Sequence, residues 1–151
     1  MKKKWFEGSC IIGCRFQSLE HSIEDHGKFY EGVVSCMSGI SSVELLEQGS
    51  DYLIIETNEG IMKRTNLKKS IKQDIVVVEY DEEYKAGKMV TTHSHFLDEF
   101  TSNEDGIKLM TTISDVRASG VLGLIYRLFG SSNIGKAVLN SHKTYLEALE
   151  D

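Results

Sequence analysis

The sequence predicts an α+β fold: a curved antiparallel sheet of about seven strands wrapped around a long C-terminal helix, with two short helices after the first strand. Three observations carry this expectation. From Ser42 to Val116, alternating or β-branched runs follow one another with only short polar turns between them, the order of sequential hairpins and hence of an antiparallel meander. A strand-like run and a glycine-interrupted helical run precede them. Behind them, Gly120 to Asp151 reads as one amphipathic helix that is long enough to need a surface to cover.

Trp5 to Phe16 is the first strand, with Ile11, Ile12 and Phe16 set among small residues and cysteines. Ser18 is placed as an N-cap, and Leu19, Ile23, Tyr30, Val33 and Met37 recur along one helical side. Gly27 and Gly32 weaken that helix, so two short helices are expected to meet near His26 and Gly27 and to end near Ser38-Gly39. The strands then run Val43 to Gln48, Tyr52 to Thr57, Ile61 to Ile71, Ile75 to Tyr80, Met89 to Phe100 and Ile107 to Val116. Asn58-Glu59-Gly60 and Thr101 to Gly106 supply hairpin turns, and Asp81 to Glu83 with Gly87 reads as a connection. In the last helix, Ile134, Val138, His142, Tyr145 and Leu149 form one inward stripe.

With 151 residues, 40% hydrophobic and 26% charged, the chain is expected to form one domain over residues 1–151. A net charge of −6 lacks the basic surplus of a nucleic-acid binder. Eighteen apolar residues never occur in a row, and Lys2 to Lys4 have no apolar run behind them, so neither stable membrane insertion nor a signal peptide is expected. Cys10, Cys14 and Cys36 make an odd count, which fits reduced thiols in the cytoplasm.

Candidate chemistry is sparse. Cys10 and Cys14 have ligand-like spacing, but on a strand they lie about 13 Å apart, too far to share an ion, and no tight second pair follows; no metal or other cofactor is expected. His93 and His95 share one face of a strand, where they would ligate a metal or pass a proton if buried. Pairing Phe100 with Ile107 turns both outward, into solvent. Glu56, Arg64, Tyr80, Asp98 and Tyr126 are candidate acid or base groups, though each reads first as structural. Lys63 and Lys69 are expected on one side of their strand and Arg64 and Lys68 on the other, as on a lysine-flanked edge strand. No nucleophile elbow, phosphate loop, dinucleotide fingerprint or HExxH pair is present.

The order of elements resembles the START-like, or SRPBCC, superfamily, most closely its polyketide cyclase/dehydrase and lipid-transport members. The resemblance covers essentially the whole chain. It is carried by the helix pair leading through Ser38-Gly-Ile-Ser-Ser-Val-Glu-Leu-Leu46, the Phe100 to Leu109 hairpin with Asp105-Gly106, and Gly120-Val-Leu-Gly-Leu-Ile-Tyr-Arg-Leu-Phe-Gly130. It implies a helix-grip fold with a hydrophobic ligand cavity between the concave sheet and the C-terminal helix. The residues expected to line that cavity are Tyr30, Phe96, Phe100, Leu109, Val138 and His142, with Leu122, Ile125, Tyr126 and Phe129 from the apolar opening turns of the helix. Those turns are too apolar for one seam, so contact with the first helices, a dimer partner, or a ligand portal that docks on a membrane or carrier protein is expected to cover the rest, and the chain is expected to be a monomer or homodimer. The expected partner is a lipid, isoprenoid or aromatic polyketide-like molecule. Two alternatives stand beside binding: a polyketide cyclase/aromatase or dehydratase-type enzyme, and a cochaperone-like interaction module with a collapsed cavity.

Overall fold

The computed structural model describes residues 2–87, 90–120 and 130–150. Strand β1 (Lys4–Ile12) is followed by helices α1 (Phe16–Ile23) and α2 (His26–Ser35). Strands β2 (Val43–Gly49), β3 (Tyr52–Thr57), β4 (Gly60–Lys72), β5 (Ile75–Ala86), β6 (Val90–Asn103) and β7 (Gly106–Ala118) come next, and helix α3 (Ser131–Ala148) comes last. The strands make one antiparallel sheet of order β1-β7-β6-β5-β4-β3-β2. The α+β expectation therefore holds, including the meander and the helix pair.

Alternation along the central strands sorts the faces. Val76, Val78 and Tyr80 of β5, Phe96 and Phe100 of β6, and Ile107, Leu109 and Ile113 of β7 are all buried on the side that carries the helices. The first and last strands in that order are β1 and β2, so α1 and α2 carry the chain across the concave face from one edge to the other. Helix α3 packs mainly on β1 and α2, whereas α2 packs on β2 and β3. Support at the two flanks leaves space above the middle strands.

The structure corrects several expectations. Helix α1 begins at Phe16 with Arg15 as its N-cap, so Ser18 lies inside the first turn, where its hydroxyl donates to Glu150 at 2.6 Å. The acidic segment after Tyr80 is not a connection but the second half of β5, paired with β6 as far as Ala86. Strand β4 is interior rather than an edge. A bulge between Thr65 and Lys68, with Asn66 at φ 52°, reverses its facing. In consequence Arg64 and Lys69 share the inner side, and the Lys69 ammonium donates to the Ile23 and Glu24 carbonyls at the end of α1, each at 3.1 Å. The single rod expected from Gly120 is corrected as well: α3 starts at Ser131 with Gly130 as N-cap, and Ser131-Ser132-Asn133 are residue types that favour helix starts. Its buried stripe is Gly135, Val138, Leu139, His142 and Leu146, while Leu149 is 44% exposed.

A candidate ligand cavity with a charged floor

A cavity of about 350 Å³ lies over the middle strands, bounded by α2, β4, β5, β6 and α3. Val33, Val34, Met37, Met62, Tyr84, Val90, Phe96, Ile134 and Val138 give it apolar walls. Arg64, Glu82, Ser141 and His142 are the polar residues toward its interior, and Glu59, Ala86 and Thr92 complete the lining.

Each interior polar group is positioned by the register of the sheet. Arg64 on β4 stands directly opposite Glu82 on β5, and its Nε donates to Glu82 Oε2 at 3.0 Å, both side chains being almost fully buried. Tyr80 lies two residues before Glu82 on the same face, and Tyr30 comes down from α2. The two rings meet edge to face at 5.5 Å, and the guanidinium lies over both, 4.6 Å from each centroid. Tyr80 in turn stacks on its cross-strand partner Phe96 at 5.2 Å. Burial opposes the charge on Arg64, but Tyr80, Glu82 and Tyr30 hold its proton and leave its pKa above the ordinary value.

A second polar pair adjoins the first. Asp98 on β6 accepts from the Thr111 hydroxyl directly across on β7 at 2.7 Å. Its other oxygen, Oδ2, is 3.8 Å from Nε2 of His142 on α3. The Nδ1 of His142 donates to the Val138 carbonyl at 2.8 Å. Burial pushes the His142 pKa down, more than Asp98 and the Val138 carbonyl raise it. A neutral ring held in this way presents Nε2 as a bare acceptor. Burial likewise raises the phenols of Tyr30 and Tyr80 well above their usual range, keeping them protonated.

Among the described residues, six buried side-chain polar atoms lack a hydrogen-bond partner, and five belong to this cluster: Tyr30 OH, Arg64 Nη1, Tyr80 OH, Asp98 Oδ2 and His142 Nε2. Each such atom costs about 1–3 kcal/mol. Two of the five, Arg64 Nη1 and His142 Nε2, belong to residues that line the cavity, a donor and an acceptor beside its space.

Of the expected lining residues, Phe96, Val138 and His142 do line the cavity, while Tyr30 lies behind Arg64 as its stacking partner. Phe100 and Leu109 are fully buried in the adjoining core, with the Phe100 ring centroid 6.0 Å from that of His142. Leu122, Ile125, Tyr126 and Phe129 fall outside the described residues. Of the candidate acid or base groups, Arg64, Tyr80 and Asp98 are brought together, whereas Glu56 is exposed on β3 and Tyr126 is outside the described residues. Sequence reasoning misses Glu82, although continuing the alternation of Val76, Val78 and Tyr80 places it inward.

His93 and His95 point away from the cavity as expected, but His95 is not solvated: its side chain is only 11% exposed. Both ring nitrogens are 2.8 Å from carboxylate oxygens, Nδ1 from Asp81 and Nε2 from Glu79, and Asn66 at the β4 bulge ties down Asp81. Among the described residues no group of three or more potential ligands could hold a metal ion, and no helix is long and apolar enough to cross a membrane. The three cysteines are free. Burial, followed by Glu150, raises the Cys14 thiol to about 11, which makes it a poor nucleophile.

No family model matches the chain, and no curated protein matches it. Solved structures do. A hypothetical protein of Helicobacter pylori superposes with a TM-score of 0.63 at 12% identity, over 93% of this chain and 86% of the other. A STAR-related lipid transfer protein of Xanthomonas axonopodis gives 0.55 at 10% identity, over 93% and 84%. The di-domain ARO/CYC protein BexL of the BE-7585A biosynthetic pathway gives 0.52 at 14% identity, over 94% of this chain and 49% of its own. At these identities the likeness establishes a START-like fold.

Proposed function

We propose that the chain binds, and carries, an apolar small molecule held noncovalently in the cavity between the sheet and helices α2 and α3. The observation that carries this reading is the cavity itself. Its volume of about 350 Å³ falls at the small end of the range for ligand pockets, its walls are apolar, and two of its lining residues, Arg64 and His142, keep an unpaired polar atom. An open interior also weighs against an interaction module with a collapsed core. The STAR-related and ARO/CYC neighbours support the same use of the fold, and the free thiols fit a cytoplasmic setting.

The test is a cavity-filling substitution. Val138→Phe places extra volume where α3 faces the cavity without touching the charged floor. We expect native mass spectrometry or a fluorescent apolar probe to register binding to the parent chain, and at least a tenfold weaker affinity for the variant at an equal or higher Tm. A parent chain that binds no apolar compound ends the proposal.

One observation favours a second reading, an enzyme that moves a proton on a bound molecule. The 3.8 Å approach of His142 Nε2 to Asp98 Oδ2, beside two protonated phenols, places an acceptor and two donors near one cavity. Turnover of a captured compound, lost in His142→Gln while binding persists, would select that reading over simple carriage.

A further inference from the structure

The orientation of Arg64 limits what the polar end of a ligand can be. Its Nε is committed to Glu82, and its guanidinium packs against the Tyr30 and Tyr80 rings, 4.6 Å from each centroid, contacts that hold the group in place. Its Nη1, in a residue only 5% exposed, is left with a buried N–H and no acceptor. An incoming molecule can supply the acceptor that Nη1 lacks. A carboxylate or phosphate would do so with charge, but the surrounding charges argue against it. Among the described residues lining the cavity, Arg64 is the sole lysine or arginine, and it already faces one carboxylate; Glu59 is a second on the wall. Asp98 adds a third carboxyl group behind His142. Another anion would be buried among these with no further cation among the described lining residues to pair with, a cost of several kcal/mol for a desolvated charge. An uncharged oxygen satisfies Nη1 without that penalty, and hydrogen bonds from charged donors are the stronger kind.

We infer that the ligand's polar end is an uncharged oxygen acceptor of the ketone or ester carbonyl kind, taking a hydrogen bond from Nη1 of Arg64 with its apolar body against Val33, Met62, Phe96 and Val138. This rests on the binding reading given above and assigns the head group within it.

Three probes of one ring system separate the two claims: acetylnaphthalene, ethylnaphthalene and naphthoate, titrated into the parent chain by calorimetry. The ketone is expected to bind about tenfold or more tightly than the hydrocarbon of matched size, the net gain of one charge-assisted hydrogen bond, and more tightly than the carboxylate. Its carbonyl stretch should move to lower frequency on binding. Because Arg64→Met alone would strand Glu82, the comparison variant carries Arg64→Met together with Glu82→Met. There the ketone's advantage and the frequency shift should vanish while the hydrocarbon still binds. Equal affinities for ketone and hydrocarbon would overturn the head-group assignment and leave the binding reading intact. Naphthoate binding tightest would overturn it in favour of an anionic head. Binding by none of the three would remove the binding reading along with it. The parent-chain series and the infrared shift decide the matter even if the double variant fails to fold.

Discussion

Arg64 and Glu82 show how much one buried pair depends on both members. Removing only the cation leaves an uncompensated carboxylate in a site almost closed to water, so Arg64→Met should cost about 3–5 kcal/mol of unfolding free energy. Adding Glu82→Met should recover most of that loss, since two apolar side chains replace two charges. Urea unfolding of the parent, both single variants and the double variant measures the coupling, and a double variant no more stable than Arg64→Met would show the pair to be indifferent. His142 makes a different prediction. Its pKa is lowered in the folded state by burial, so the native ring stays neutral where the unfolded chain takes up a proton. Below pH about 6.5 the unfolded chain binds more protons, and stability falls as acid is added until the folded-state pKa is passed. Stability curves between pH about 6.5 and 5 should therefore flatten in His142→Gln. The carboxylates of Asp81 and Glu147, whose pKa values are also lowered, act in the same sense but only at lower pH. At this scale the sequence singles out Arg64, Tyr80, Asp98 and His142 but does not show that they meet. Their contacts depend on cross-strand register and on a helix far along the chain.

At the scale of elements, α3 reaches β1 closely because Gly135 has no side chain. A Cβ there would overlap the Phe6 ring, which lies flat against the helix backbone. Gly135→Val should lower stability by about 1–3 kcal/mol through overpacking, seen as a fall in Tm, and an unchanged Tm would mean that the Phe6 ring has somewhere else to go. Hydrophobic period makes the strands and the helix pair legible in the sequence, because the core side of β5, β6 and β7 follows simple alternation. Its failures have local causes. The bulge at Asn66 carries no strong residue signal, yet it exchanges the faces of Lys68 and Lys69. The charged residues Asp81 to Glu83 suggest a turn, although Glu82 is paired and buried while its two neighbours belong to the convex face. Gly130 lies in a stretch of helical period, and only the backbone reveals that α3 begins after it.

At the scale of the molecule, the START-like fold is readable from element order, which single runs of residues encode. The cavity is readable only as an implication of that fold, because its volume depends on how far apart α2 and α3 stand on the sheet, and no local pattern specifies that distance. The strand order has one further consequence, for assembly. Every central neighbour in the sheet is joined by a hairpin and can form early and locally, but Cys10 of β1 must find Leu109 of β7. Closing a flexible loop on the order of 100 residues costs roughly 4 kcal/mol in chain entropy. The amino-terminal strand therefore has to wait, unpaired, until most of the meander is in place, and folding should be slow compared with that of a helical protein of equal size.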